Sequence, residues 1–325
     1  MSLPTPTKAK DVFTPDELRE LTQRSTAAGL WAIASTWGII ALVFAALARW
    51  PHPITFVLAV IVLGGRQLAL AILMHEASHR TLFAHRILND VLTDWLCARP
   101  VWNDVARYRK HHMGHHAHAG SDRDPDQSLS AAFPTSRGSL LRKFLRDLLG
   151  ISAVKRVLGL FLMDIEVLEY TVAAVAVRKP RGDRRFVDYV RAGLRNMSGM
   201  VLTNLVLAGV LAAAGHLWLY WAWAAAYFTT FGLFLRIRSM AEHACTERGS
   251  NPFRNTRTTR AGWLARMTVA PCHVNYHVEH HLLVAVPYYR LPKMHRMLRE
   301  RGAPGAFAPS YASVLQTVTS DQPAV

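Results

Sequence analysis

Nine histidines in this 325-residue chain have spacings that suit metal binding. Eight lie in three clusters: His75-Glu76-Ala77-Ser78-His79, His112-Met113-Gly114-His115-His116 and His277-Val278-Glu279-His280-His281. Imidazole is a good ligand for iron, zinc and copper. Separations of three and four residues put the rings of a cluster on one helical face. The ninth, His243, closes Arg238-Ser239-Met240-Ala241-Glu242-His243, eight residues past a long apolar stretch. A helix continuing through that stretch would lift His243 to a height similar to that of His79. The candidate ligands are therefore His75, His79, His112, His115, His116, His243, His277, His280 and His281. Metal-bound imidazole passes its other N–H to a carboxylate or carbonyl, which makes Glu76, Asp124, Asp126, Glu242 and Glu279 candidate supports. His111 and His118 flank the second cluster and point elsewhere on a helix, and His85, His273 and His295 stand apart from the set.

The donor set bears on the metal. His75-Glu76-Ala77-Ser78-His79 matches the H-E-x-x-H zinc-protease pattern literally, but a protease would leave seven other histidines idle. Zinc has no redox chemistry and rarely takes more than four protein ligands. Soluble di-iron bundles ligate through Glu and E-x-x-H, and this chain offers almost no carboxylates at that spacing. Two irons use all nine imidazoles. The cysteines Cys97, Cys245 and Cys272 form no C-x-x-C, so neither a disulfide framework nor a sulfur-bound metal is expected.

These residues must be held by apolar elements. Residues 29–48 carry no charge and, at about 30 Å as a helix, are long enough to cross a bilayer core. Residues 54–74 form a second such stretch, broken by Arg66 and Gln67, and 197–215 and 217–235 form a third and fourth. Short links at residues 49–53 and at His216 pair them as two hairpins. The expected fold is all-α, a polytopic membrane protein with four spans and a histidine-rich di-metal cap. Both ends of each hairpin return to one side, which holds all 16 histidines except His52 and His216, and all 38 Lys and Arg except Arg49 and Arg66. The positive-inside rule makes that side, with both termini and the metal site, cytoplasmic. The net charge of +16 lies in loops beside the spans, where anionic lipid rather than nucleic acid is its expected partner.

Three parts are expected: an arm over 1–28, a membrane domain over 29–301 and a tail over 302–325, loosely held. The arm is a soluble lead-in rather than a signal peptide, with a short helix capped by Thr14, Pro15 and Glu17. Residues 82–98 read as an interfacial or buried helix. Residues 151–177 are mostly apolar but carry Asp164, Glu166 and Glu169, which would be costly at mid-depth. One or two helices along the membrane surface are expected there, and a polar loop over 248–260. Arg66, about 13 Å below His75 on a helix, is either lodged between helices or, with Gln67, shapes the inner end of a substrate channel.

The three boxes, in this order and between two hairpins, resemble the membrane fatty acid desaturase superfamily over roughly residues 29–301. The likeness rests on H-x-x-x-H at 75–79 and on Tyr108 to His118 leading into Asp124-Pro125-Asp126. It continues through Asn275-Tyr276-His277-Val278-Glu279-His280-His281 to Val286-Pro287-Tyr288-Tyr289-Arg290-Leu291-Pro292. The resemblance implies a non-haem di-iron centre that uses O₂ to remove hydrogen from an unactivated C–H bond, with the nine histidines as ligands. It also implies a lipid acyl substrate and an external electron donor of the ferredoxin, rubredoxin or cytochrome b5 type; no His-Pro-Gly-Gly haem motif is present. Ser239 stands where animal acyl-CoA desaturases carry an Asn that assists through a water. Hydroxylases and carotenoid ketolases share the superfamily and are the alternative reading. A membrane metal transporter is the distant one, because transporters place their ligands within the spans and these lie beyond the span ends.

Overall fold

The computed structural model describes residues 8–173, 175–303 and 305–320. A short arm helix α1 (Pro15–Leu21) starts at Thr14, whose hydroxyl and backbone exchange hydrogen bonds with Glu17 as the capping pattern predicts. Two long helices follow, α2 (Thr26–Arg49) and α3 (Pro53–Ser78), joined by the turn at 50–52 and packed as a hairpin. Both are long and apolar enough to cross a membrane.

Helix α3 is the mast of the molecule, buried along its second half. Two adjacent glycines let other chain segments close on it. A Cβ on Gly64 would lie 2.1 Å from Thr230 Oγ1, and one on Gly65 would lie 2.1 Å from the Met267 carbonyl oxygen. Arg66 Nη2 donates to the carbonyls of Arg266 and Met267, at 3.1 and 2.8 Å, and Gln67 Nε2 donates to that of Trp223. Both side chains clamp neighbouring backbone, and neither lines the cavity described below. Of the two expected roles for Arg66, the structure takes the lodged one: irregular backbone packed against a long apolar helix needs donors.

Residues 88–98 form two wide π-helical turns, Leu88–Leu92 and Asp94–Ala98, with Val91 and Trp95, and Ile87 just before them, exposed. Asp104 then caps α4 (Val105–His118) by accepting from Arg107 N, while Arg99 bridges Asp94 and Asp104 beneath the helix start. The cap continues through α5 (Gln127–Ser130), α6 (Arg137–Leu148) and α7 (Ile151–Asp164). Helix α7 presents Ile151, Val154, Leu158 and Phe161 outward; residues 165–173 and 175–177 carry no further helix.

Helix α8 (Phe186–Ala213) begins at Phe186 rather than near Met197, because Asp188 accepts from the Arg185 backbone and starts the helix among polar residues. It too is long and apolar enough to cross. The stretch expected as a single fourth span is broken into α9 (Tyr220–Phe228) and α10 (Thr230–His243), with Thr229 out of helical geometry at φ −124°, ψ −87°. The cause is a threonine pair. Thr229 Oγ1 bonds back to Ala225 O at 2.6 Å, and Thr230 Oγ1 donates to Val60 O on α3 at 2.7 Å. Such back-bonding bends helices.

The expected polar loop at 248–260 is largely an inner part of the cap. It holds α11 (Pro252–Asn255) and β1 (Thr258–Thr259), and Thr256, Thr258 and Thr259 are buried. After α12 (Trp263–Met267) come α13 (His277–Leu282) and α14 (Leu291–Glu300). The described part of the tail is packed rather than loose. Its β2 (Phe307–Ala308) pairs in parallel with β1, and α15 (Tyr311–Thr317) sets Val314, with Val318 just after it, against Met240, Ala241 and Ala244. The arm likewise packs Phe13 and Leu21 on Val278, Leu282 and Met294, with Glu17–Arg301 and Glu20–Lys293 ion pairs at the rim. Apolar side chains sufficient to seal an edge decided both outcomes, against proline count and polarity.

Candidate metal centre

Four helices deliver the nine histidines. His75 ends α3 and His79 caps it; α4 carries His112, His115 and His116; α10 ends on His243; α13 is little more than His277, His280 and His281 in six residues. They meet as two groups: His75, His79, His112, His116 and His280, then His115, His243, His277 and His281. Within each group one ring nitrogen per residue lies within 4.8 Å of all the others. The i, i+3, i+4 spacing works as geometry predicts, but each of the two triple clusters divides between groups. His112 and His116 turn to one side and His115 to the other, and His280 parts from His277 and His281.

Several ring nitrogens face one another closely. His79, His116 and His280 present Nε2 atoms to neighbouring Nε2 atoms at 3.0–3.1 Å, and His243 and His277 do so at 2.8 Å. His75 Nε2 and His281 Nε2 are buried without a hydrogen-bond partner. Burial first, and neighbouring charged groups second, pull His112, His116, His277, His280 and His281 well below the ordinary histidine range, so these rings are neutral. Neutral imidazoles converging with orphaned nitrogens are the donor set a pair of divalent transition metals requires.

The supporting carboxylates differ in what they touch. The segment Asp124-Pro125-Asp126 folds back on α4. Asp124 lies 2.8 Å from His115 Nδ1, whereas Asp126 is bonded to His111 Nε2 at 2.7 Å and stands 3.9 Å from His115. Glu76 stands 3.3 Å from His75 Nδ1, and its other oxygen accepts from Tyr288 N and Thr81. Glu242 lies 3.6 Å from His277 Nδ1 and is held by Arg238 at 2.7 Å. Glu279 reaches no histidine of the two groups: Thr258 and His295 occupy its oxygens, at 2.6 Å each, and so fix the α13 helix. His111, His85, His118, His273 and His295 stay outside both groups.

Some neighbours were not singled out from the spacing. Tyr108 stacks on His112 with ring centres 5.1 Å apart. Arg109 donates to the Ala77 and Ser78 carbonyls and to Asp90, pinning the end of α3 to α4. Asn255 presents its carbonyl to His243 Nδ1 at 3.4 Å. Tyr108 and Arg109 do stand inside the run that leads into the second box; nothing local marks Asn255. A cavity of about 300 Å³ opens onto the second group; its lining includes His112, His115, His243, His277 and Ser239 together with Ser152, Arg156 and Arg236.

The family model for fatty acid desaturase matches residues 48–313. Among curated proteins, dihydrorhizobitoxine desaturase of Bradyrhizobium elkanii is 25% identical over 308 residues, taking in 90% of this chain and 81% of that protein. The matched region contains every candidate ligand and both hairpins apart from most of α2. On that match the chain belongs to the fatty acid desaturase family.

Proposed function

We propose that this protein desaturates a long acyl chain of a membrane lipid, using O₂ and two irons held by the nine histidines. The carrying observation is the pair of convergent histidine groups with a cavity ending on the second of them. Balance requires that –CH₂–CH₂–, O₂, two electrons and two protons give –CH=CH– and two waters. The electrons come from a separate ferredoxin, rubredoxin or cytochrome b5-type protein.

Iron bound there supplies reductive activation of O₂ and the power to take hydrogen from an unactivated carbon. The chain's own residues hold and shield. The end of helix α3 fixes His75 and His79, and Asp124, 2.8 Å from His115 Nδ1, orients that ring. Tyr108 and the buried walls keep bulk water from the rings, and the cavity sets which carbon faces them, which is positioning catalysis.

In this reading α2, α3, α8 and the broken α9–α10 pair make four crossings, with the cap and both termini cytoplasmic. Exposed Trp31 on α2 and Trp50 just past its end bracket 19 steps, about 28 Å of helix, close to the roughly 30 Å of a hydrocarbon core. The name of the curated relative favours desaturation over hydroxylation or ketone formation. The test is expression in a host lacking such an enzyme, followed by mass spectrometry of total lipids. A loss of two hydrogens from an acyl chain is expected. A gain of one oxygen would replace the desaturase reading by the hydroxylase one, and unchanged lipids would overturn both.

A further inference from the structure

The charges lining the cavity leave one cation without a counter-charge. Arg236 is held bidentate by Asp147, at 2.5 and 2.8 Å, and Arg238 by Glu242. Asp124 and Asp126 are taken by His115 and His111. Arg156 has no carboxylate among the described residues. Its Nη2 donates to Tyr227 O at 2.7 Å, its guanidinium lies over the Tyr227 and Phe231 rings, and its Nε is buried with no hydrogen-bond partner. Across from it Gly232 has no side chain; a Cβ there would come within 3.2 Å of Nη1. The guanidinium is thus fixed by its aromatic bed and one carbonyl, with donors left over; Gly232 stands eleven residues before His243 on α10, about 16 Å along the helix, so Arg156 lines the cavity well away from that ring.

We infer that Arg156 binds an anionic group of the substrate, a carboxylate or a phosphate, and so holds the substrate's polar end while its chain runs toward the second histidine group. This deepens the function proposed above and rests on the reading that the cavity receives the substrate. A planar guanidinium with free donors suits either oxyanion. The cavity volume is at the lower end of the roughly 300–1,000 Å³ range of small-molecule sites. It encloses the anion and the reacting segment of the chain, not a whole diacyl lipid.

The test is equilibrium binding to the purified iron-loaded protein in neutral-detergent micelles, with dodecanoate, dodecyl phosphate and methyl dodecanoate as probes. At least one anion should bind about tenfold or more tightly than the ester, as a hydrogen-bonded charge implies. Preference for dodecanoate identifies a carboxylate, and preference for dodecyl phosphate a phosphate-bearing headgroup. Arg156→Gln should erase the preference and Arg156→Lys should retain part of it. Should Arg156→Gln fail to fold, Ser152→Asp decides. It places a carboxylate one turn before Arg156, at a helix start that tolerates acid, and should neutralise the anchor and erase the same preference. Equal binding of anions and ester by the wild type, or a preference that survives Ser152→Asp, would overturn the inference. Binding needs no turnover, so unchanged lipids in the expression experiment and a lost anion preference here are separate failures.

Discussion

Five imidazoles from α3, α4 and α13 form the first histidine group, and four from α4, α10 and α13 form the second. The first is crowded, with His79 Nδ1 buried without a partner and Glu76 3.3 Å from His75 Nδ1. The second has fewer rings; Asp124 lies 2.8 Å from His115, and the Asn255 carbonyl and Glu242 stand farther off, 3.4 Å from His243 and 3.6 Å from His277. It also contributes three of its four rings to the cavity wall, against one of five from the first. Two rings of the first group, His75 and His79, are held at the end of α3. The second takes His243 from the end of α10, has its one close carboxylate in Asp124, and faces the cavity.

The largest effect expected is from His280→Ala. His280 packs against His75, His79 and His116, so its loss should leave one iron under-coordinated, cut bound iron by about half and abolish product. Metal analysis with lipid mass spectrometry checks this, and a fully active variant would sink the di-iron mechanism. The comparison itself is sharpened by Asp124→Asn beside Glu76→Gln. Asp124→Asn should weaken metal affinity about 10–100-fold, measured by competition with a chelator, and Glu76→Gln should do less. The reverse order would show that the first group is the oxygen-supported one.

Smaller effects test the elements common to both groups. Helix α13 serves both, and Leu21 of the arm, fully buried, packs on its far side. Leu21→Ala should cost about 2–5 kcal/mol of stability, read by thermal unfolding in detergent, and should lower iron retention in the two groups alike. Arg66→Leu removes the donor to two backbone carbonyls and should cost about 1–3 kcal/mol while leaving the double-bond position unchanged. A shifted product would return Arg66 to the channel.

Much of this was legible in the chain. The boxes name their own chemistry because imidazole at three- and four-residue spacing has one geometric meaning on a helix. Length and hydropathy gave α2 and α3 and the core of α8, since a bilayer core demands about 20 apolar residues. The capping pattern at Thr14 was local and came out as written. Other features depend on partners far away in sequence. The break at Thr229 exists because Thr230 finds Val60 and Gly64 admits it. Arg66 became a clamp because residues 266–267 come to lie against Gly65.

Ring type and local spacing, then, were determined by the sequence alone, as was the apolar length that holds the rings at one level. The division of each triple cluster between two groups was decided only in three dimensions. So were the choice of Asp124 for His115 and Asp126 for His111, and the use of Glu279 as a brace. The physical reason is that a side chain's face on its helix follows from local periodicity, whereas the partner it meets follows from which helices pack beside it.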